Sequence, residues 1–553
     1  MLRRIHKISK STVLILLLGG ISVMPWLGYL EVPVINEDYL ILNWFNPQTV
    51  LDGFRTFFEQ IVGGHYWRPV VWTATSITKY FAGYNAWPYH LTNILVYGVI
   101  VFAFFSFLKR IGFARREAWL GAFIFAVLPS HELAVAWIAG RTDTIMAMFL
   151  LFGMNNLVYA FKNRWYYFVP AVIFFLFAML SKEPAYAVPA MPFLFLLLRE
   201  SKLSKEDYKE ALFRALILAG FVFIVLLYRL IVIGGTPFES SNFSNINFLD
   251  IFRNFFLYIP ISFVRADQLE KFYYFLIANK AALWITISVA GMLLVLMVIR
   301  YRKMDKHEKN LLLFGFFWYI VFILPAVTFF GQWYAFTASM GLIIMAISFL
   351  KLNPNSFLGK NVFYLILTIG IIISVINSQR SDKWLEASER AKIAYQSINY
   401  TPMEKDTMIF LGVPDKLNHV NMMKIGFTQA IWHHLHNNHI EVSSPLRLEL
   451  TDDSFISIEK AGDNEIEIEV VKGRFLPVGS RSRSIIINEK IHYEDGFQKF
   501  DIKTITKPII VSKAKIIIKK KTLLNRVLIF DGTKFLPFTK LEEQFKQTKI
   551  QKK

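Results

Sequence analysis

The chain has 553 residues, 54% of them hydrophobic, 16% aromatic and only 18% charged, with a mean hydropathy of +0.40. That is the composition of a polytopic membrane protein, and the absence of cysteine excludes disulfides, thiolate metal sites and cysteine nucleophiles. Half of the +20 net charge sits in residues 501–553, where 14 Lys/Arg stand against 4 Asp/Glu; with most of the chain in lipid, this excess does not point to nucleic acid.

Residues 1–30 open Met1-Leu2-Arg3-Arg4 and run apolar from Val13 to Leu30. The run is long enough to span and no small-residue cleavage site follows, so it predicts a retained first helix rather than a removed signal peptide. Eleven apolar runs predict spans at about 11–30, 90–108, 117–136, 143–161, 165–180, 185–198, 212–233, 281–299, 311–329, 333–350 and 361–378. Pro184, Pro189 and Pro192 make the sixth short and irregular.

The positive-inside rule orients this set. With the N-terminus cytoplasmic, Lys109, Arg110, Arg115 and Arg116 fall inside, as do Lys162 and Arg164, Arg199 to Lys209, Arg300 to Lys309, and Lys351 with Lys360. The short outer connections carry only Arg141 and Lys182. This predicts an inner-membrane protein whose C-terminal segment is extracytoplasmic. Two long outer loops, 31–89 and 234–280, are rich in aromatic residues, and segments 48–62 and 248–263 have the spacing of amphipathic helices lying at the membrane surface.

The texture changes after Ser378. Residues 381–399 predict a polar amphipathic connecting helix, followed by β-rich runs at 408–413, 440–442, 466–471, 484–487, 509–518 and 527–530, with a helix at 421–437. The expected fold is therefore a polytopic α-helical membrane region of about 11 transmembrane helices with a small C-terminal β-rich α/β domain. The boundaries are 1–380 for the membrane region, 381–400 for the connecting helix and 401–553 for the soluble domain. The run His433 to His439 reads as a polar helix surface, and the basic stretch Lys513 to Lys521 as a strand with charged flanks that either protect an edge or meet anionic headgroups or glycans.

Ionisable residues gather at outer ends of the spans: Glu37-Asp38, His131-Glu132, Arg141 with Asp143, and Lys182-Glu183. Such a concentration at one side of a bundle is a functional-site signal. Several stretches resemble the GT-C superfamily of lipid-phosphosugar-dependent glycosyltransferases, in particular the protein O-mannosyltransferase-like branch with its tetratricopeptide-carrying transmembrane members and bacterial relatives. They are Asn36-Glu37-Asp38-Tyr39, Tyr66-Trp67-Arg68-Pro69-Val70, Tyr89-His90-Leu91-Thr92-Asn93, Pro129-Ser130-His131 through Ala136-Trp137, Gly140-Arg141-Thr142-Asp143, and Ser181-Lys182-Glu183. Two places depart from the family's pattern. Glu132 follows His131 directly, and Gln332-Trp333-Tyr334 stands where relatives often carry an arginine motif, which leaves Arg265 and Lys182 as alternative phosphate cations.

The resemblance implies transfer of a monosaccharide, mannose in the eukaryotic branch, from a polyprenyl-phosphate donor to a hydroxyl of a protein or glycan acceptor at the outer face. It puts the general base in the Glu37-Asp38 pair, with Asp38 favoured. Direct displacement needs one carboxylate base and cations for the leaving phosphate. Arg68 is a phosphate or sugar contact, or an arginine snorkelling at the interface. His131 and Glu132 reach acceptor, donor or a divalent cation, although one imidazole and one carboxylate do not make a metal site, and no other cofactor is implied. Arg141 and Asp143, at i and i+2, share no helical face and point to different partners. Lys182 either neutralises phosphate or complements its helix end, with Glu183 beside it; His90 and Asn93 read as packing residues. A lipid or sugar transporter and a non-catalytic envelope assembly factor are the competing functions.

Overall fold

The computed structural model describes residues 10–59, 66–162, 164–199, 203–234, 248–327, 331–350, 357–399, 407–462, 465–477, 491–495, 498–504, 513–518 and 527–541. By its internal packing the chain forms two compact units, one of residues 1–30 and 45–381, the other of residues 31–44 and 382–553.

The first unit is a helical bundle. Eight described helical segments are long and apolar enough to cross a bilayer, and a ninth counts if Arg115–Val127 and Pro129–Val135 form one span bent by 51°. The bend falls at Leu128, held extended (φ −62°, ψ 121°) because the ring of Pro129 excludes the helical region for the residue before it. Eleven spans were expected, and the difference lies in two places. The 165–180 run gives only the twelve-residue helix Phe168–Met179 after a short 3-10 turn, and the 185–198 run gives a 3-10 segment, Glu183–Ala190, followed by the seven-residue helix Met191–Leu197. Pro184, Pro189 and Pro192 each lack the N–H that a continuous α-helix would use there.

Local chemistry sets the helix ends. Ser204 caps Lys205–Ile233 by accepting from the Asp207 N–H at 3.2 Å, while Asp207 accepts from the Ser204 N–H at 2.8 Å. Asp305 and Glu308 repeat that reciprocal pair before Lys306–Ile323. This last helix packs on Ala335–Leu350 through Gly315 and Gly341, where an added Cβ would lie 2.6 Å and 2.5 Å from the opposing glycine's carbonyl oxygen. The helix Lys280–Lys303 exposes Trp284, Ile285, Leu294 and Val295, each more than half exposed, a surface suited to lipid.

The expected surface helix at 248–263 is Phe248–Ile261, and a further helix, Ala266–Ala278, follows it within the 234–280 segment. The segment at 48–62 is instead a 3-10 helix, Val50–Phe57, with its last residues outside the described ones, and an unexpected helix, Pro69–Ala82, succeeds it.

The second unit carries two sheets. Its strands are β1 (Thr407–Leu417), β2 (Val420–Asn421), β3 (Glu441–Leu450), β4 (Phe455–Gly462), β5 (Glu465–Val471), β6 (Arg474–Pro477), β7 (Ile491–Asp495), β8 (Gln498–Thr504), β9 (Lys513–Ile518), β10 (Val527–Phe530) and β11 (Phe535–Pro537). One sheet is mixed, in the order β11-β10-β1-β3-β6 with β2 beside β1; the other is antiparallel, β4-β5-β9-β8-β7. β1 lies parallel to both β10 and β3. Its Met408, Ile409, Phe410, Leu411 and Val413 are all fully buried, the continuous apolar run that a central parallel strand requires. The crossover from β1 to β3 runs through the helix Phe427–Leu435, within the expected 421–437. The strand expected at 484–487 lies outside the described residues, as do the charged ends of the basic stretch beyond β9. The helix Ser381–Gln396 takes the place expected for the connecting helix. Residues 31–44, expected with the membrane region, pack instead in the unit of the β-sheets.

Candidate functional site

The acidic pair opens a short helix, Glu37–Asn43, in the second unit. Asp38 is 1% exposed and Glu37 half-buried. Both carboxylates stand in the first turn of that helix. The turn is entered through Asn36 at φ 55° and ψ −126°, a conformation that side chains other than glycine's rarely adopt. The Asp38 N–H donates to Ile35 O at 3.2 Å and the Tyr39 N–H to Asn36 O at 3.3 Å.

In the helical bundle, four of the remaining sequence candidates form one ionic cluster. Lys182 Nζ lies 2.6 Å from both oxygens of Asp143, with side chains 3% and 5% exposed. Arg68 grips Glu183 as a fork, Nη2 at 2.7 Å and Nε at 3.2 Å from each oxygen. The two pairs act on one another electrostatically. Local structure brings them together: Arg68 immediately precedes the Pro69–Ala82 helix, Asp143 lies in the first turn of Arg141–Phe161, and Lys182 sits extended before Pro184.

The cations in this cluster are neutralised but not saturated. Arg68 spends Nε and Nη2 on Glu183, and among the described residues its Nη1 donates to none. Lys182 carries three N–H bonds and gives two to Asp143; the ring of Tyr334 stands 4.9 Å from Nζ. Burying two ion pairs costs several kcal/mol per ion in desolvation, repaid only by good geometry, which makes a cluster with spare donors a candidate anion site rather than a simple brace. A third cation joins it. Arg229, 1% exposed in the Lys205–Ile233 helix, approaches Glu183 with Nη1 at 3.5 Å. Arg229 is not among the sequence candidates, although a lone arginine in the apolar run from Phe221 to Ile233 is itself a signal, because a charge there needs a partner inside the bundle.

Glu132 and Arg265 form a second cluster. Arg265 Nη1 lies 2.5 Å from Glu132, while its Nε and Nη2 reach Asp267 at 2.8 Å and 2.6 Å, so all three nitrogens are engaged. Glu132 also accepts from Tyr29 Oη at 3.0 Å and lies 3.2 Å from Arg380 Nε. Gln332 ties this region together, its Nε2 donating to Ser130 O at 2.9 Å and its Oε1 accepting from the Ala266 N–H at 3.1 Å. At 332–334 this chain thus has a bridging amide followed two residues on by the Tyr334 ring.

His131 parts company with Glu132. It is fully buried between Phe125 and Phe336, with ring centroids 4.4 Å and 4.6 Å away. Its Nδ1 meets Tyr97 Oη at 2.9 Å and its Nε2 meets Ser339 Oγ at 3.2 Å, so both nitrogens have partners inside the bundle. Among the described residues no group of three or more His, Asp or Glu side chains comes together that could hold a metal ion, the 433–439 run included.

Arg141 and Asp143 diverge, as their spacing predicts. Arg141 donates to Asn93 Oδ1 and Thr75 Oγ1 at 3.3 Å and to Tyr89 O at 3.2 Å, a buried bracket between helices, and Asn93 in turn donates to Val135 O and Trp137 O. Arg141 is 1% exposed, so these contacts lie inside the bundle.

No family model matches this chain. Among curated proteins it is similar to a protein O-mannosyl-transferase, tmtc2, of Xenopus laevis, 25% identical over 225 residues that cover 38% of this chain and 27% of that protein. It is 27% identical to the mouse TMTC2 protein over 32% of this chain and 23% of the relative, and 30% identical to mouse TMTC4 over 18% and 15%. The chain thus spans about a quarter or less of the length of the relatives it matches. Among solved structures, the oligosaccharyltransferase of Archaeoglobus fulgidus, tethered with an acceptor peptide, is similar with a TM-score of 0.42 and 12% identity over 78% of this chain and 64% of that one.

Proposed function

We propose, from the likeness to the protein O-mannosyl-transferases, that this chain is an integral-membrane glycosyltransferase. It moves a monosaccharide from a polyprenyl-phosphate donor to a hydroxyl acceptor, on a protein or a glycan, at the outer face of the cytoplasmic membrane, with its N-terminus inside and its C-terminal domain outside.

In this reading the Asp38 carboxylate takes the acceptor's hydroxyl proton as that oxygen attacks the anomeric carbon. The bond from carbon to phosphate oxygen breaks in the same displacement, its electron pair leaves with the polyprenyl phosphate, and the anomeric centre inverts. Arg68 and Lys182 offer N–H donors to the phosphate as charge grows on it. Glu183 and Asp143 hold those cations in place.

The observation that carries the reading is the Lys182–Asp143 and Arg68–Glu183 cluster, buried in an apolar bundle and left with donors to spare. The test compares wild type with Asp38→Asn on a synthetic polyprenyl-phosphate mannose, following donor consumption and acceptor labelling. Loss of about 100-fold or more in kcat with intact fold is expected for removal of a general base. Undiminished transfer by Asp38→Asn would falsify the base assignment. No turnover of any polyprenyl-phosphate hexose by wild type, with lipid movement or envelope assembly in its place, would remove the enzyme reading.

A further inference from the structure

The acidic turn belongs to the same compact unit as residues 382–553. Within that unit the Glu37–Asn43 helix lies against the Phe427–Leu435 helix. Three contacts build the seat. The Ile425 N–H donates to Asn36 Oδ1 at 2.8 Å. Gly426, at φ +77°, lies so close that an added Cβ would stand 2.5 Å from Asn36 O and 3.0 Å from Leu40 N. Tyr39 meets Tyr395 edge-on at 5.9 Å and His433 at 5.8 Å.

The first two of these contacts fall on one strained point. Asn36 holds a backbone conformation natural to glycine, and such strain persists only where the surroundings over-determine it. Its side chain is anchored by Ile425, and its carbonyl stands where any Cβ on residue 426 would collide and closes the first turn through the Tyr39 N–H. Asp38 lies within that turn. Any shift of Asn36 O therefore moves the Asp38 carboxylate, and no other side chain need mediate it.

We propose that Ile425 and Gly426, with Tyr395 and His433, form a positioning seat by which the C-terminal domain sets the place of the Asp38 carboxylate. The domain acts on the transfer step through the backbone of Asn36. This rests on Asp38 being the base, and the seat residues are positioning residues that touch no reactant.

The test uses the full-length protein in lipid nanodiscs and three variants: Gly426→Ala, Asn36→Gly and Asp38→Asn. Gly426→Ala adds the methyl that collides with Asn36 O. Asn36→Gly removes the side-chain anchor while allowing the same backbone, so it folds even where Gly426→Ala does not. Each is expected to lower kcat about tenfold or more with the donor KM within about twofold, because a misplaced base loses the transition state and not the donor. Amide exchange should rise over 37–43 and stay unchanged in β1. Asp38→Asn inactive with both seat variants at wild-type kcat overturns the seat. So does a fall in kcat accompanied by faster exchange throughout β1 and β3, which marks a general folding defect. Transfer retained in Asp38→Asn refutes the base instead, whatever the seat variants do.

Discussion

The two ionic clusters of the bundle use the same chemistry and differ in the donors they leave over. Both pair an arginine with a glutamate at helix ends, Arg68 with Glu183 and Arg265 with Glu132. Arg265 has every nitrogen committed, to Glu132 and Asp267, and Glu132 is further held by Tyr29 and Arg380. Arg68 and Lys182 are charge-balanced yet keep donor capacity. Charge balance and donor saturation are separate properties. A cation can be neutral in company and still have a hydrogen bond to give, which the proposed phosphate site requires and a brace does not.

The largest effect that bears on this contrast is on stability. Lys182→Met leaves Asp143 buried and unpaired, and should cost about 3–5 kcal/mol, read as a large drop in the thermal midpoint in detergent. Adding Asp143→Leu should recover most of that loss, since an apolar pair of similar volume is often neutral, while transfer stays lost. If the double variant also regains transfer, the cluster is a brace only.

Arg265→Met comes next. Glu132 keeps Tyr29 and Arg380, so the expected loss is smaller, about 1–3 kcal/mol, with donor KM within about twofold of wild type. A tenfold rise in donor KM in a stable Arg265→Met protein would move the phosphate to the second cluster. Arg68→Lys then sharpens the distinction. It keeps the charge but loses the fork, and donor affinity should weaken about tenfold with little change in thermal midpoint. An unchanged donor KM would show that Arg68 meets no phosphate.

The smallest effect lies in the sheet domain. Burial pushes the Asp415 carboxyl above its ordinary 3.8, with Arg447 at 2.9 Å pulling the other way. A raised value in the folded state means that its contribution to stability is whole below the unfolded value and fades as the pH rises through the folded one. Asp415→Asn should therefore flatten the pH dependence of the domain's unfolding above about pH 4. An unchanged slope would assign that dependence to other groups.

Much of this was readable from residue order alone, and for physical reasons. Lipid demands long apolar helices with satisfied backbones, so the bundle announces itself in hydropathy, and prolines at 184, 189 and 192 mark where a helix cannot continue. Lys182, Glu183, Arg68 and Asp143 stood out because charge is costly beside lipid. What each touches depends on helix packing. Only the folded chain turns His131 into a core residue between two phenylalanines, draws Arg229 out of an apolar run to Glu183, and commits Arg265 to Glu132. The same holds for Asn36 and Ile425, joined across 389 residues by a hydrogen bond. Pattern along a chain encodes which surface a residue prefers, whereas the partner it finds is fixed by distances that only packing creates.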